Sequence, residues 1–474
     1  MSINGHIAKL MELAGEKAAT ADPSVIAPHL TEWRDKFQGN AALMLMPESA
    51  ERAQALIRYC SEHGIKIKTQ GGNTGLVGGS TPGLEGRNEV LMSTRRMNSF
   101  CEVDAGDFSI TADAGCTVAE LQAKAAEHDL LFPLSLASEG SCTVGGVVST
   151  NAGGIHVLRY GTTRALTLGV QAVLPNGDIV DELTALRKNN TGYNLSQLLV
   201  GAEGTLGLIT RATFKLYPRE AQKHTCLLAV ETPSDALKLL ASARKASGDR
   251  VSAFELMPRF GLDLVLKHIP GVTDPLGGTY PWYVLTDIAT SRTDAALEAD
   301  VASWLEGELE SGTIVDGALA SSFAQAENFW RLRESMSEAQ KHEGGSIKHD
   351  IAVPVSKVPA FLERASMAVL EICPGSRLVA FGHLGDGNIH FNLMQPLGAD
   401  KKDFLAHWEE VSTLVHDIVM EFDGSISAEH GIGTLKREEL SRLKASASLT
   451  AMRAIKAALD PKNIMNPGVL FPEA

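Results

Sequence analysis

No Cys-x-x-Cys pair occurs in this sequence, and its six cysteines, at 60, 101, 116, 142, 226 and 373, are scattered. That excludes a thiolate metal centre of the usual spacing and describes reduced thiols rather than a disulfide framework. No apolar run is long enough to span a bilayer. The N-terminus lacks a basic segment followed by an apolar core, so no secretory signal is evident and a cytoplasmic location is expected. Positive charge is in the minority: 43 Lys and Arg against 57 Asp and Glu leave a net charge of −14. This argues against nucleic acid and anionic membrane surfaces as main partners, although a local basic pocket can still receive a small anion. Two nucleotide signatures are missing from the glycine-rich stretch at 71–80. It has no following Lys, as a P-loop would, and it is not GxGxxG.

What is present is length and apolar content. With 474 residues, 44% hydrophobic and 21% charged, the chain reads as a soluble globular protein of two or three domains. A short apolar strand at 42–46 is followed by a helix over 50–63, stopped by Gly64, and an alternating strand over 65–70. A strand–turn–strand unit reads over 168–180. From about 219, strands at 224–230, 251–256 and 280–287 alternate with helices, the pattern of an α+β domain whose sheet is covered on one face. The expected division is 1–218, 219–423 and a C-terminal segment, 424–474.

Residues 381–392 read FGHLGDGNIHFN, with an apolar run leading in. Asp-Gly between strand-like residues signals a tight hairpin turn. With Asp386 and Gly387 as the two turn residues, Gly385 falls opposite Asn388, Leu384 opposite Ile389 and His383 opposite His390. Opposed residues share a face with β-carbons about 4.5–5.5 Å apart. Two imidazoles so placed can bind one metal ion, zinc, iron or copper by ligand type. The competing reading is a pair of histidines on a half-exposed hairpin.

Three glycine-rich blocks allow close backbone approach: GGNTGLVGGS at 71–80, the stretch 133–154, and GAEGTLGLIT at 201–210. Exposed backbone N–H groups suit a diphosphate, and each block taken singly reads equally as a surface turn. Together they point to a large phosphate-bearing cofactor in an extended groove. On the motifs GGNTG at 71–75, GSCTVGG at 140–146 with NAGG at 151–154, and GAEGTLG at 201–207, the chain resembles the vanillyl-alcohol oxidase/p-cresol methylhydroxylase flavoprotein superfamily. Within it, the chain is most similar to the FAD-linked D-2-hydroxyacid dehydrogenases. The resemblance implies an α+β fold: a two-subdomain FAD-binding domain of the p-cresol methylhydroxylase type, an α+β substrate cap, and a C-terminal helical segment returning to the flavin domain. It implies an FAD pyrophosphate on the first loop, at Gly71, Gly72, Asn73, Thr74, Gly75, Gly78 and Ser80. Contacts from the second block fall at Pro133, Gly140, Ser141, Gly145, Gly146, Thr150, Asn151 and Gly153. Those from the third fall at Glu203, Gly204 and Ile209, with Asn466 from the tail. No histidine lies in 69–82, in or near the loop where some members attach flavin covalently, so noncovalent FAD is expected.

In the second half, a helix around 329–337 puts Arg333 and Ser337 on one face at i, i+4. The alternating strand 346–354 puts Lys348, Asp350 and Ala352 on one side. Arg offers a carboxylate a planar fork and Lys a point charge; the plainer reading is solvated surface charge. The resemblance extends to the D-2-hydroxyglutarate branch, whose pattern has an Arg, a Thr four residues later and a Lys on the next strand. Ser337 stands where Thr is usual and keeps a hydroxyl. The branch implies Arg333, Ser337, Lys348 and Asn388 as substrate-binding residues. It also implies His383, His390 and Glu429 as ligands of a divalent metal, zinc by preference with iron or manganese also compatible, and His430 as catalytic base. The implied activity is oxidation of an anionic D-2-hydroxyacid, D-2-hydroxyglutarate or a similar dicarboxylate, with hydride transfer to FAD. The electron acceptor stays open among an electron-transferring flavoprotein, a quinone, a cytochrome and dioxygen. A D-lactate or glycolate dehydrogenase or oxidase is the alternative enzyme, and a non-catalytic flavin electron carrier the alternative of another class. For the assembly, a homodimer is the default.

Overall fold

The computed structural model describes residues 3–472, apart from Glu16 and Asp294. The chain forms two units. The first takes residues up to Gly154, Gly161–Arg219 and the tail from Glu429; the second takes Ile155–Tyr160 and Glu220–Ala428. Among the described residues no helix is long and apolar enough to cross a membrane.

In the first unit, the helix Ala50–His63 begins at Ser49, whose hydroxyl oxygen accepts from the Arg52 N–H, and ends at Gly64 with φ 67°. Leu56, Ile57 and Cys60 on its inner face pack with Ile67, Val90 and Met92 of the strands. Those strands, Lys66–Gln70 and Glu89–Ser93, run parallel, and Met44–Leu45 joins on the other side of Glu89–Ser93. A second, five-stranded antiparallel sheet has the order Cys101–Asp104, Ser109–Asp113, Leu208–Lys215, Thr167–Val173, Ile179–Asp181. Its last two strands are the expected strand–turn–strand unit, with Gly177 at φ 83° in the turn. The tail lies along Lys66–Gln70, where the Asn466 N–H donates to the Ile67 carbonyl at 2.9 Å.

The second unit is one antiparallel sheet of seven strands: β1 (Gln222–Val230), β2 (Val251–Pro258), β3 (Trp282–Thr290), β4 (Asp316–Leu319), β5 (Ser346–Ala352), β6 (Arg377–His383) and β7 (Asn388–Met394). Their order across the sheet is β4-β1-β3-β2-β6-β7-β5. On one face α1 (Arg259–His268), α2 (Phe323–Glu334) and α3 (Met336–Ala339) bring Leu262, Val265, Phe329 and Met336 onto Tyr283, Leu285 and Phe381. On the other, α4 (Val358–Ile372) sets Phe361 edge-on to Phe391 at 5.8 Å, and Ser412 of α5 (Trp408–Glu421) lies 3.3 Å from His349 Nε2. Helices therefore cover both faces, which corrects the expectation of one. The physical mark is β2, buried at every position along its length; a half-covered sheet would alternate.

Glu343 joins α1 to β6. Its carboxylate receives Lys267 Nζ at 2.6 Å, Arg377 Nη1 at 2.8 Å and His268 Nε2 at 2.6 Å. The Lys267 ammonium, with the Arg377 and His268 donors, holds its carboxyl down at about 2. A folded-state value below the unfolded one contributes stability above the ordinary carboxylate range, and that contribution is lost as pH falls through the folded value. Urea unfolding of wild type and Glu343→Gln should therefore differ most near neutral pH and converge as pH falls toward about 2. A pH-independent gap would assign the effect to packing instead.

Candidate active site

The hairpin forms, with a different turn. β6 and β7 pair His383 with Asn388, Gly382 with Ile389 and Phe381 with His390, leaving residues 384–387 as the loop. The His383 carbonyl accepts from the N–H groups of Asp386 and Gly387 at 3.2 and 3.1 Å, and Asp386 Oδ1 accepts from the Asn388 N–H at 3.0 Å. Of the Asp-Gly pair only Gly387 has a positive φ, 84°, whereas a two-residue type I′ turn needs it at both. The expected direct opposition of His383 and His390 is thus corrected by two residues. A shift of two keeps parity, so the imidazoles lie diagonally on one face with centroids 5.7 Å apart at 75°.

The register spreads a polar face across four strands. One row runs Glu255, His383, Asn388, Ala352; the next Phe381, His390, Asp350; the next Val379, Asn392, Lys348. Glu255, fully buried, accepts from His383 Nδ1 at 2.6 Å and from Arg333 Nε at 2.7 Å. Burial pushes its carboxyl up, but His383 and Arg333 outweigh that and hold it down at about 2. The carboxylate can only accept, so His383 Nδ1 is the donor of this bond, and in the neutral ring the lone pair then falls on Nε2.

Arg333, on α2, also stacks over Phe381 at 4.7 Å. Among the described residues its two Nη nitrogens make no hydrogen bond. Ser337 does not share its face. α2 ends at Glu334, Ser335 (ψ −6°) turns the backbone, and α3 points Met336 and Ala339 into the core. Arg333 is buried while Ser337 is exposed, which corrects the expected i, i+4 pair. Lys348 Nζ reaches the Ser337 carbonyl oxygen at 3.5 Å, not its hydroxyl.

Asn388 Nδ2 donates to Asp350 Oδ1 at 3.0 Å and to the Ile351 carbonyl at 2.9 Å. Its Oδ1 is buried without a hydrogen-bond partner among the described residues. A buried polar atom is nearly always satisfied, so this oxygen retains an accepting capacity that a bound group could use. His390 Nδ1 lies 3.9 Å from the same Asp350 Oδ1.

The chain leaves the second unit after Ala428, whose N–H donates to the Asp350 carbonyl at 3.4 Å, and Glu429 and His430 follow. Gly431 (φ 80°) and Gly433 (φ 56°) then turn the backbone, and the N–H groups of Ile432 and Gly433 donate to the Glu203 carboxylate at 2.8 and 2.7 Å. Burial pushes the Glu203 carboxyl up against the pull of these amides.

In the first unit the three glycine blocks meet. A Cβ on Gly72 would lie 2.0 Å from the Ser141 carbonyl oxygen, and one on Gly71 2.5 Å from Thr143 Oγ1. These glycines thus serve loop-against-loop packing. Gly75 and Gly140 face open space, with nothing within 4 Å of an added Cβ. The Glu203 N–H donates to the Ser149 carbonyl at 2.7 Å, and Asn466 Nδ2 donates to the Glu203 carbonyl at 2.7 Å and to Thr69 Oγ1 at 2.9 Å. Asn73 Nδ2 donates to the Thr31 carbonyl at 3.0 Å while its Oδ1 accepts from Ser80 Oγ at 3.2 Å. Thr150 Oγ1 donates to the Gly146 carbonyl, and Asn151 Oδ1 accepts from the Arg164 N–H. The side chains of Asn73, Ser80, Thr150, Asn151, Glu203 and Asn466 therefore brace the loops. Beside the backbone N–H groups of the first block lies Thr143 Oγ1, buried without a partner among the described residues. That is a donor set a diphosphate fits. Within the blocks themselves, Pro133, Gly145, Gly153 and Ile209 are buried.

Three residues of these sites went unassigned in the sequence. Glu255 was visible as the one acidic residue within an otherwise apolar strand, 253–257. Asp350 lay on the same side as Lys348, and Thr143 was hidden inside a glycine motif.

Comparison with known proteins places both units among relatives. The family profile of the FAD binding domain matches residues 41–182, and that of the FAD linked oxidases, C-terminal domain, matches 219–470. A D-2-hydroxyglutarate dehydrogenase of Xanthomonas citri pv. viticola is 35% identical over 95% of this chain and 93% of its own length. The mitochondrial D-2-hydroxyglutarate dehydrogenase of Arabidopsis thaliana is 34% identical over 98% of this chain and 81% of that protein. That of Danio rerio is 36% identical over 95% and 82%. Among solved structures, p-cresol methylhydroxylase with substrate bound aligns with a TM-score of 0.75 at 15% identity, covering 99% of this chain and 97% of that one. An alkyldihydroxyacetonephosphate synthase aligns at 0.73 and 16% identity, over 98% and 84%. The two structural likenesses establish the fold, the α+β FAD-binding architecture of the p-cresol methylhydroxylase type. With both profiles matched and relatives this similar over nearly full length, the chain belongs to the FAD-linked oxidases and is an FAD-dependent dehydrogenase.

Proposed function

We propose that this dehydrogenase oxidises a D-2-hydroxyacid bearing a second carboxylate, D-2-hydroxyglutarate first, to the 2-oxoacid. The observation that carries the reading is Arg333, a guanidinium fixed by Glu255 and Phe381 whose two Nη nitrogens make no hydrogen bond among the described residues. Fixed in this way it offers the parallel donors that match a carboxylate. Lys348, on the same sheet face as Asp350, supplies a point charge for the second carboxylate. His383 and His390 hold a divalent metal, with Glu429 as third ligand. The fit is supported by two imidazoles on one face, the His383 Nδ1–Glu255 bond that in the neutral ring leaves the lone pair on Nε2, and the Asn388 Oδ1 that finds no partner among the described residues. Glu429 is peptide-bonded to Ala428, which Asp350 holds beside that face. A His-His-carboxylate set suits zinc, iron or manganese. When bound, the ion supplies Lewis acidity toward a hydroxyl and FAD supplies the hydride acceptor. His430 takes the hydroxyl proton, a role suited to imidazole, whose ordinary pKa lies near neutral pH. The relatives named above act on D-2-hydroxyglutarate by name, which supports the same substrate here.

Turnover with an artificial dye acceptor should rank D-2-hydroxyglutarate and D-malate above D-lactate and glycolate. Lys348→Met should lower kcat/KM for the dicarboxylates about 10–100-fold, the worth of one charge-assisted hydrogen bond, and leave D-lactate almost unchanged. A preference for D-lactate, or equal losses on both classes, would favour a lactate or glycolate dehydrogenase instead.

A further inference from the structure

Glu255 is neither a proposed ligand nor a proposed substrate contact, yet it touches one of each. We infer that Glu255 is a positioning residue that sets, through one buried carboxylate, both the tautomer of His383 and the orientation of Arg333. The inference rests on the reading above, in which His383 ligates a metal and Arg333 binds a carboxylate.

The placement follows from the sheet. β2 and β6 pair Glu255 directly with His383, so the two side chains leave the sheet on one face, while α2 lowers Arg333 onto the same spot. The carboxylate is divided: Oε1 takes His383 Nδ1 at 2.6 Å and Oε2 takes Arg333 Nε at 2.7 Å. Neither oxygen is accessible to solvent. For His383 the consequence is chemical. A proton pinned on Nδ1 keeps the lone pair on Nε2, and a ring flip would forfeit the bond. An imidazole oriented by a carboxylate is the usual outer partner of a metal ligand. For Arg333 the consequence is geometric. The Glu255 bond fixes Nε, and stacking at 4.7 Å on Phe381 fixes the guanidinium plane, so the Nη edge can face in one direction only. One side chain thereby sets the separation between the metal-binding nitrogen and the carboxylate-binding fork.

Glu255→Gln, an isostere that can accept from one partner but must turn an N–H toward the other, tests this in the full FAD-loaded chain. After chelator stripping, zinc titration should show affinity about 10–100-fold below wild type, with FAD content unchanged. Wild-type zinc affinity in Glu255→Gln would overturn the inference. Glu255→Asp keeps the charge but withdraws both oxygens. Positioning predicts that thermal stability recovers toward wild type while zinc affinity stays low; joint recovery of both would reduce Glu255 to charge compensation and overturn the proposal. A metal-independent readout separates the two claims. In ¹⁵N-histidine spectra of the stripped protein, assigned with His383→Gln, His383 should be the Nδ1–H tautomer in wild type and a mixture in Glu255→Gln. If wild type binds no zinc, the metal reading falls while this tautomer still decides the role of Glu255. A wild-type His383 protonated on Nε2 would overturn it.

Discussion

Replacing His430 by Asn is expected to leave FAD and metal content unchanged and to slow flavin reduction by about 10²–10⁴-fold, the range for a positioned general base. Asn preserves size and polarity but cannot take a proton, so the loss should fall on the reductive step. The neighbouring backbone is secured independently: Ile432 and Gly433 bond to Glu203, and Ala428 bonds to Asp350. The substitution therefore has no reason to unfold the segment. Rapid mixing under anaerobic conditions, with FAD and metal quantified beforehand, separates lost chemistry from lost cofactor. Turnover near the wild-type rate would remove His430 as the base.

Arg333→Lys should lower kcat/KM for D-2-hydroxyglutarate about 10–100-fold, chiefly through KM, because one or more charge-assisted hydrogen bonds of the planar fork are lost. Lys is the informative replacement. A neutral residue would strand the buried Glu255 carboxylate, and breaking a buried pair costs about 3–5 kcal/mol of stability. An ammonium keeps the compensating charge while removing the fork and the stacking on Phe381. Thermal unfolding should accordingly change little while substrate affinity falls. Unchanged kinetics would mean that Arg333 serves only the interior pair.

Much of this site was legible in the sequence, for reasons that can be named. The Asp386-Gly387 pair located the hairpin because so few residues accept a positive φ. It did not give the loop length, since the Asp386 carboxylate accepts from the Asn388 N–H and stabilises a four-residue loop with only Gly387 at positive φ. The two-residue error was harmless to the metal reading because parity survived; a shift of one would have separated His383 from His390. The Arg333–Ser337 pairing failed for a different reason. No Gly or Pro announces the end of α2 at Glu334, and the core position of Met336 decides it. Glu255 illustrates what sequence order conceals. Its partners stand 78 and 128 residues away, and only the packing of α2 on the sheet and the pairing of β2 with β6 bring them to it. The glycine blocks were readable as places of close backbone approach. That Gly72 is needed to admit Ser141 of the next block required the fold.

The central claim, that the chain oxidises a D-2-hydroxydicarboxylate with its own FAD, is tested most directly by anaerobic mixing. D-2-hydroxyglutarate should bleach the flavin absorbance in one turnover and yield one 2-oxoacid per FAD, while its L-enantiomer leaves the spectrum unchanged. A flavin that stays oxidised with D-2-hydroxyglutarate, D-malate, D-lactate and glycolate alike would contradict the account.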